Sequence, residues 1–212
     1  VMIRTALLLC ALCAAPAAAQ EMQPQDIPQG QKDYHAAEAG DYRLDPYHSA
    51  VIARVPHMGF SYSVFRFDQV SGELAWHPED PAQSRLRAEV QVGSISTPVE
   101  GFAEALKGAD YLDVAADPVA RFVSDSFTPE SDTKGIVSGQ LTLMGRTHPA
   151  TFAVELVGAG QGYTGDENGN PVIRNLLGVH AETQIDPQAY GMSPFFTAPI
   201  PIVIDAEFAR QE

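Results

Sequence analysis

Apolar and polar side chains alternate in short runs along most of the chain. Leu86, Ala88, Val90 and Val92 alternate with Arg87, Glu89 and Gln91, and Phe152, Val154 and Leu156 with Ala153 and Glu155. The same period of two runs through Val179, Ala181, Thr183 and Ile185, and through Ile202, Ile204, Ala206 and Phe208. A period of two places one apolar face on each strand. Segments 42–56, 62–76, 120–127 and 136–144 complete a set of about eight strands bounded by Gly, Pro, Asp and Asn. Such a set closes into a barrel or splits into a sandwich, and because closure removes exposed sheet edges an all-β, eight-stranded antiparallel barrel is expected. Only residues 98–113 break the pattern. There Phe102, Ala105, Leu106 and Ala109 share a helical face that excludes Glu104 and Lys107, which predicts a short amphipathic helix covering one barrel end.

The N-terminus reads differently. Arg4 precedes an apolar run from Leu7 to Cys13, and Ala17, Ala18 and Ala19 follow. This is the pattern of an export signal over 1–19, cleaved before Gln20. The run is too short to span a membrane, so no stable membrane insertion is expected. Residues 20–41 are rich in Gln, Pro and Ala and read as a flexible leader, with the folded domain over 42–212. Both cysteines lie in the signal, so the mature chain is expected to hold no disulfide or thiolate site.

Across its 212 residues the chain carries a formal net charge of -14 and is 45% hydrophobic. The composition supports a buried core, and the charge argues against a nucleic-acid partner.

Several motifs, in order, resemble the YceI-like family. Tyr42, Asp45, His48 and Ser49 match its opening Y-x-x-D-x-x-H-S, and His57, Met58, Gly59 and Phe60 its H-x-G-F element. Ser94, Ile95, Ser96 and Thr97 match a turn; Leu106, Asp110, Tyr111, Leu112, Asp113 and Pro118 match its helix exit. Gly139, Leu141, Thr142, Leu143, Gly145 and Pro149 match its G-x-L-T-L-x-G-x-x-x-P hairpin, and Gly191 a late glycine. The resemblance implies a lipocalin-like barrel in the bacterial periplasm, binding and transporting a polyisoprenoid or similar long-chain lipid. The chain departs from the family at Phe102, Ala103 and Ala105, at Asp186, Pro187 and Ala189, and at Phe65, where the second strand would carry glycine. These departures erase polar groups at one end of the pore and with them an anchor for a charged headgroup.

An eight-stranded barrel is wide enough for one small ligand or lipid chain, or for its own side chains. Phe60, Phe65, Phe67, Trp76, Phe102, Leu106, Phe122, Leu141, Leu143, Phe152 and Leu156 are the candidates for the ligand wall. The leading expectation is an exported, non-enzymatic lipid carrier without cofactor or metal. An enzyme acting on a lipid-like substrate, and a barrel filled solidly by its aromatics, are the alternatives, and a homodimer is left open. His48 and His57 are expected to bond to backbone at the barrel end, and His180 to be solvated. Ser193 lacks the second glycine of a nucleophile elbow. The stretch 158–171, GAGQGYTGDENGNP, has no helix after it, fails as a phosphate loop, and is expected to be a flexible hairpin loop.

Overall fold

The computed structural model describes residues 27–166 and 168–212. The expected export signal lies outside the described residues.

Eleven strands form one antiparallel sheet: β1 (Gly40–Leu44), β2 (Ala50–His57), β3 (Ser61–Phe67), β4 (Val70–Trp76), β5 (Arg85–Gln91), β6 (Ile95–Ser96), β7 (Val119–Pro129), β8 (Lys134–Leu143), β9 (Arg146–Gly165), β10 (Pro171–Ile185) and β11 (Ile200–Arg210). The order β1-β4-β5-β7-β8-β9-β10-β11 returns to β1, so the sheet is a closed eight-stranded barrel. The remaining three strands are continuations. β2 prolongs β1 along β11, with Ala53 opposite Ile202, while β3 prolongs β4 and β6 prolongs β5, with Phe67 opposite Ile95. The two expected strands 42–56 and 62–76 are therefore present, each interrupted once. The first interruption is chemical: Asp45 caps a 3-10 turn over Pro46–His48 by accepting the Tyr47 N–H at 2.8 Å. Proline cannot donate to the ladder, so the strand breaks there.

Tight turns set the register. Met58 and Gly59 between β2 and β3, and Met144 and Gly145 between β8 and β9, all have positive φ. Two such residues in succession give the hairpin turn whose twist matches that of the flanking strands.

Three expectations change. The helix predicted over 98–113 is a single turn, α1 (Phe102–Leu106), flanked by Gly101 and Gly108. The stretch 158–171 is not a long loop. β9 runs to Gly165 and β10 starts at Pro171, because Gly158, Gly160, Gly162 and Gly165 carry strand geometry without side chains to show the alternation. The described part of the expected leader is folded onto the barrel. Gln31 and Ala159 exchange backbone hydrogen bonds of 2.8 and 3.0 Å, Tyr34–Ala36 form a 3-10 turn, and Ala37 is fully buried. Backbone pairing, the buried Ala37 and the ring of Tyr34 attach this segment without an apolar period, so the hydrophobic pattern does not reveal it.

Among the described residues no helix is long and apolar enough to cross a membrane.

Candidate functional site: an apolar bore through the barrel

Alternation fixes what faces inward. On β11, Ile202, Ile204, Ala206 and Phe208 line the interior, and on β10 Val179, Ala181, Thr183 and Ile185 do so. These walls do not close on one another. They enclose a cavity of about 580 Å³, within the range of small-molecule and cofactor sites. The interior is therefore not filled by its aromatics.

Ten of the expected wall residues line this cavity: Phe65, Phe67, Trp76, Phe102, Leu106, Phe122, Leu141, Leu143, Phe152 and Leu156. Phe60 does not. It sits beside the Met58–Gly59 turn, is 86% exposed, and points away from the bore. The glycine that matched a family motif also marks a hairpin tip, and a residue at a tip has no interior to face. The rest of the wall comes from small and branched residues such as Val51, Ala53, Leu74 and Ala206. Small residues carry no aromatic signal, although the alternation on β10 and β11 already places them on the inward face.

A short aromatic belt lies between the two end clusters. Phe122 and Phe152 meet edge to face, with centroids 4.9 Å apart. At one end, Phe65 and Phe102 meet edge to face at 5.6 Å, with Leu106, Tyr111 and Phe196 beside them. Phe65 and Phe102 are two of the positions where the chain departs from the resembled pattern. An aromatic pair thus occupies the pore end where that pattern carries polar groups. Phe195 is 71% exposed at the same rim.

At the other end Trp76 is enclosed by Tyr34, 5.9 Å away, and Phe127, 6.4 Å away, both edge-on. Trp76 is 7% exposed, and its Nε1 is buried without a hydrogen-bond partner among the described residues. Beyond it lies a polar cap. The Tyr42 hydroxyl is 2.7 Å from the Glu38 carbonyl and 2.9 Å from Asn175 Oδ1. Burial pushes this phenol up to about 12, Arg210 pulling it down and Glu38 up.

Charge is sparse on the bore wall, where Glu89 and Asp132 are the acidic residues. Lys134, exposed at the Trp76 end, is the one cationic side chain on the described wall. The groups with resolved shifts in ionisation lie elsewhere. On the outside of the barrel, Asp45 Oδ2 accepts from His48 Nδ1 at 2.8 Å and from the Thr164 hydroxyl at 3.2 Å. Burial raises the Asp45 carboxyl, but the hydrogen bonds from His48, the Tyr47 N–H and Thr164 outweigh it, and its pKa falls below the ordinary carboxylate value. The bond to Asp45 holds His48 above its usual value against the opposing effect of burial. Nearby Glu207 is pushed up, mainly by burial. His48 is thus bonded to a carboxylate and not, as the sequence suggested, to backbone. His180, also outside, donates from Nδ1 to Asp205 Oδ1 at 2.8 Å and approaches Glu182 Oε1 through Nε2 at 3.4 Å.

Comparison with known proteins agrees with this architecture. Residues 42–208 match the YceI-like domain. A UPF0312 protein of Vibrio vulnificus is 33% identical over 128 residues, which are 59% of this chain and 68% of the relative. Among solved structures, Burkholderia cenocepacia BcnA superposes with a TM-score of 0.63 at 20% identity, covering 79% of this chain and 99% of BcnA. A polyisoprenoid-binding domain from Saccharophagus degradans, implicated in plant cell wall breakdown, superposes with a TM-score of 0.52 at 11% identity, covering 82% and 100%. A domain match over most of the chain, joined to a closed barrel with an apolar bore, establishes that this protein belongs to the YceI-like family.

Proposed function

We propose that this protein is a non-catalytic carrier that encloses the tail of a long-chain lipid, a polyisoprenoid or a similar amphiphile, in its bore. The observation that carries the reading is the 580 Å³ cavity walled by hydrocarbon side chains. The fold shared with a polyisoprenoid-binding domain supports the choice of ligand class. The reading includes export to the periplasm through removal of residues 1–19.

The energetics allow it. At about 25 cal/mol per Å², a tail burying about 500 Å² gains about 12 kcal/mol. Association costs several kcal/mol, and about 8 kcal/mol net corresponds to micromolar binding. With so little cationic charge along the wall, the head is uncharged or weakly polar. Catalysis within the bore is disfavoured because, among the described residues, its wall holds no histidine paired with a carboxylate.

Native mass spectrometry of the purified protein tests the reading. The expected result is a co-purifying apolar lipid, or uptake of prenyl alcohols on titration at micromolar concentrations. A bare mass that no prenyl lipid shifts overturns it.

A further inference from the structure

Asp45, His48 and Glu207 come together where the last strand meets the first. Glu207 alternates on β11 with Ala206 and Phe208, which line the bore, so it points outward. Asp45 follows the inward Leu44 and also faces out. The end of β9 lies over them through Thr164. One ligand atom from each of the three residues lies within 4.8 Å of the others.

The cluster has one unexplained atom. Both carboxylates approach the same imidazole nitrogen: His48 Nδ1 is 2.8 Å from Asp45 Oδ2 and 3.7 Å from Glu207 Oε1. One ring nitrogen carries one proton, so it satisfies Asp45 and leaves the other contact too long. Glu207 Oε1 is accordingly buried, although the side chain as a whole is 27% exposed, and has no hydrogen-bond partner among the described residues. A buried carboxylate oxygen without a donor is costly and calls for a proton, a water or an ion. The exposed cluster at His180 makes the contrast. There the two carboxylates meet opposite ring nitrogens, an arrangement that grips an imidazolium from both sides and cannot converge on one ion.

We propose that Asp45, His48 and Glu207 form a binding site for a divalent transition metal of the zinc class, outside the barrel and separate from the lipid bore. A cation in place of the Nδ1 proton meets the imidazole lone pair and both carboxylates at once. Zinc accepts this donor set, one imidazole nitrogen and two carboxylate oxygens, and leaves a fourth position for water. The 2.8 and 3.7 Å separations bracket the edge of about 3.4 Å that a tetrahedron has when its ligands lie about 2.1 Å from the metal. The Thr164 hydroxyl, already donating to Asp45 Oδ2, orients a ligand from behind, as outer partners do in metal sites. The site joins the β1–β2 corner to β11.

Isothermal titration of the purified protein with Zn²⁺ tests this. The expected result is one equivalent bound with a Kd below about 100 µM, weakened at least tenfold by His48→Ala and by Glu207→Gln, and unchanged by His180→Ala. The His48 side chain is 60% exposed, so its removal leaves the fold intact. The metal also raises the unfolding midpoint of the wild type, by roughly 5–10 °C at a hundredfold excess over Kd, and not that of His48→Ala. Absent or weaker binding overturns the proposal, as does binding that survives either substitution or is lost with His180. Such a result leaves the lipid reading untouched, since that rests on a different part of the molecule.

Discussion

At the scale of single residues, Trp76 ties the bore to ligand chemistry. Its Nε1 is buried and finds no hydrogen-bond partner among the described residues, so the indole meets the bore through its apolar surface. Trp76→Ala removes that surface, and the expected result is at least tenfold weaker binding of a prenyl alcohol and of squalene alike. Parallel fluorescence-displacement titrations check it, and unchanged affinity for both ligands refutes it. His180 offers a second prediction. The hydrogen bond to Asp205 raises its pKa most, burial opposes it, and Glu182 adds a further upward push. A histidine raised on folding stabilises fully below its unfolded value of about 6.5, and the contribution fades as pH climbs through the raised folded value. With 37% of the side chain exposed, the effect is about 0.5 kcal/mol or less. His180→Gln is therefore slightly less stable than wild type at pH 6 and equal to it at pH 9 in urea titrations.

Individual elements show what pattern alone can deliver. Every strand anticipated from alternation is present, because a sheet with one wet face must alternate. What escaped was geometry imposed by contacts distant in sequence. The glycines of β9 gave no alternation to read, and the segment before Tyr42 is attached by backbone pairing to Ala159. The site was legible to a similar extent. Bulky residues on strands were placed on the wall, whereas Phe60 was misplaced because a turn, not a strand, governs its direction. The convergence of Asp45 and His48 on Glu207 could not be foreseen, since it depends on the pairing of β1 with β11 across the whole chain. The β7–β8 hairpin supplies the prediction at this scale. β7 bulges between Ser124 and Ser126 opposite Gly139. A Cβ on Gly139 would lie 2.2 Å from the Val123 carbonyl oxygen and 2.8 Å from Phe122 Cζ. Neither neighbour can withdraw without disturbing the ladder or the aromatic belt, so Gly139→Ala is expected to cost about 3 kcal/mol. A denaturant midpoint equal to that of the wild type refutes the assignment.

For the whole molecule, the bore and the barrel are separable by mutation. Ala181 faces the bore beside Phe122 and Phe152, and a bulky side chain there obstructs it without touching a backbone hydrogen bond. Ala181→Trp is expected to lose the co-purified lipid and at least tenfold in prenyl-alcohol affinity, while circular dichroism retains the strand signal; Ala206→Phe, from the neighbouring strand, gives an independent obstruction. Retained lipid in both folded variants counts against the bore as the binding site. The pairing of Tyr42 with Arg210 has a further consequence, for how the chain reaches this state. Hairpins between adjacent strands can assemble locally, but the cylinder shuts only when residues from opposite ends of the sequence find each other. Closing so long a loop carries a large entropic cost before any contact offsets it, which places this chain among slow folders of high contact order. Until the last strand pairs with the first, the partly assembled sheet exposes the apolar face that later lines the bore, which is the kind of surface that aggregates or is bound by chaperones during folding.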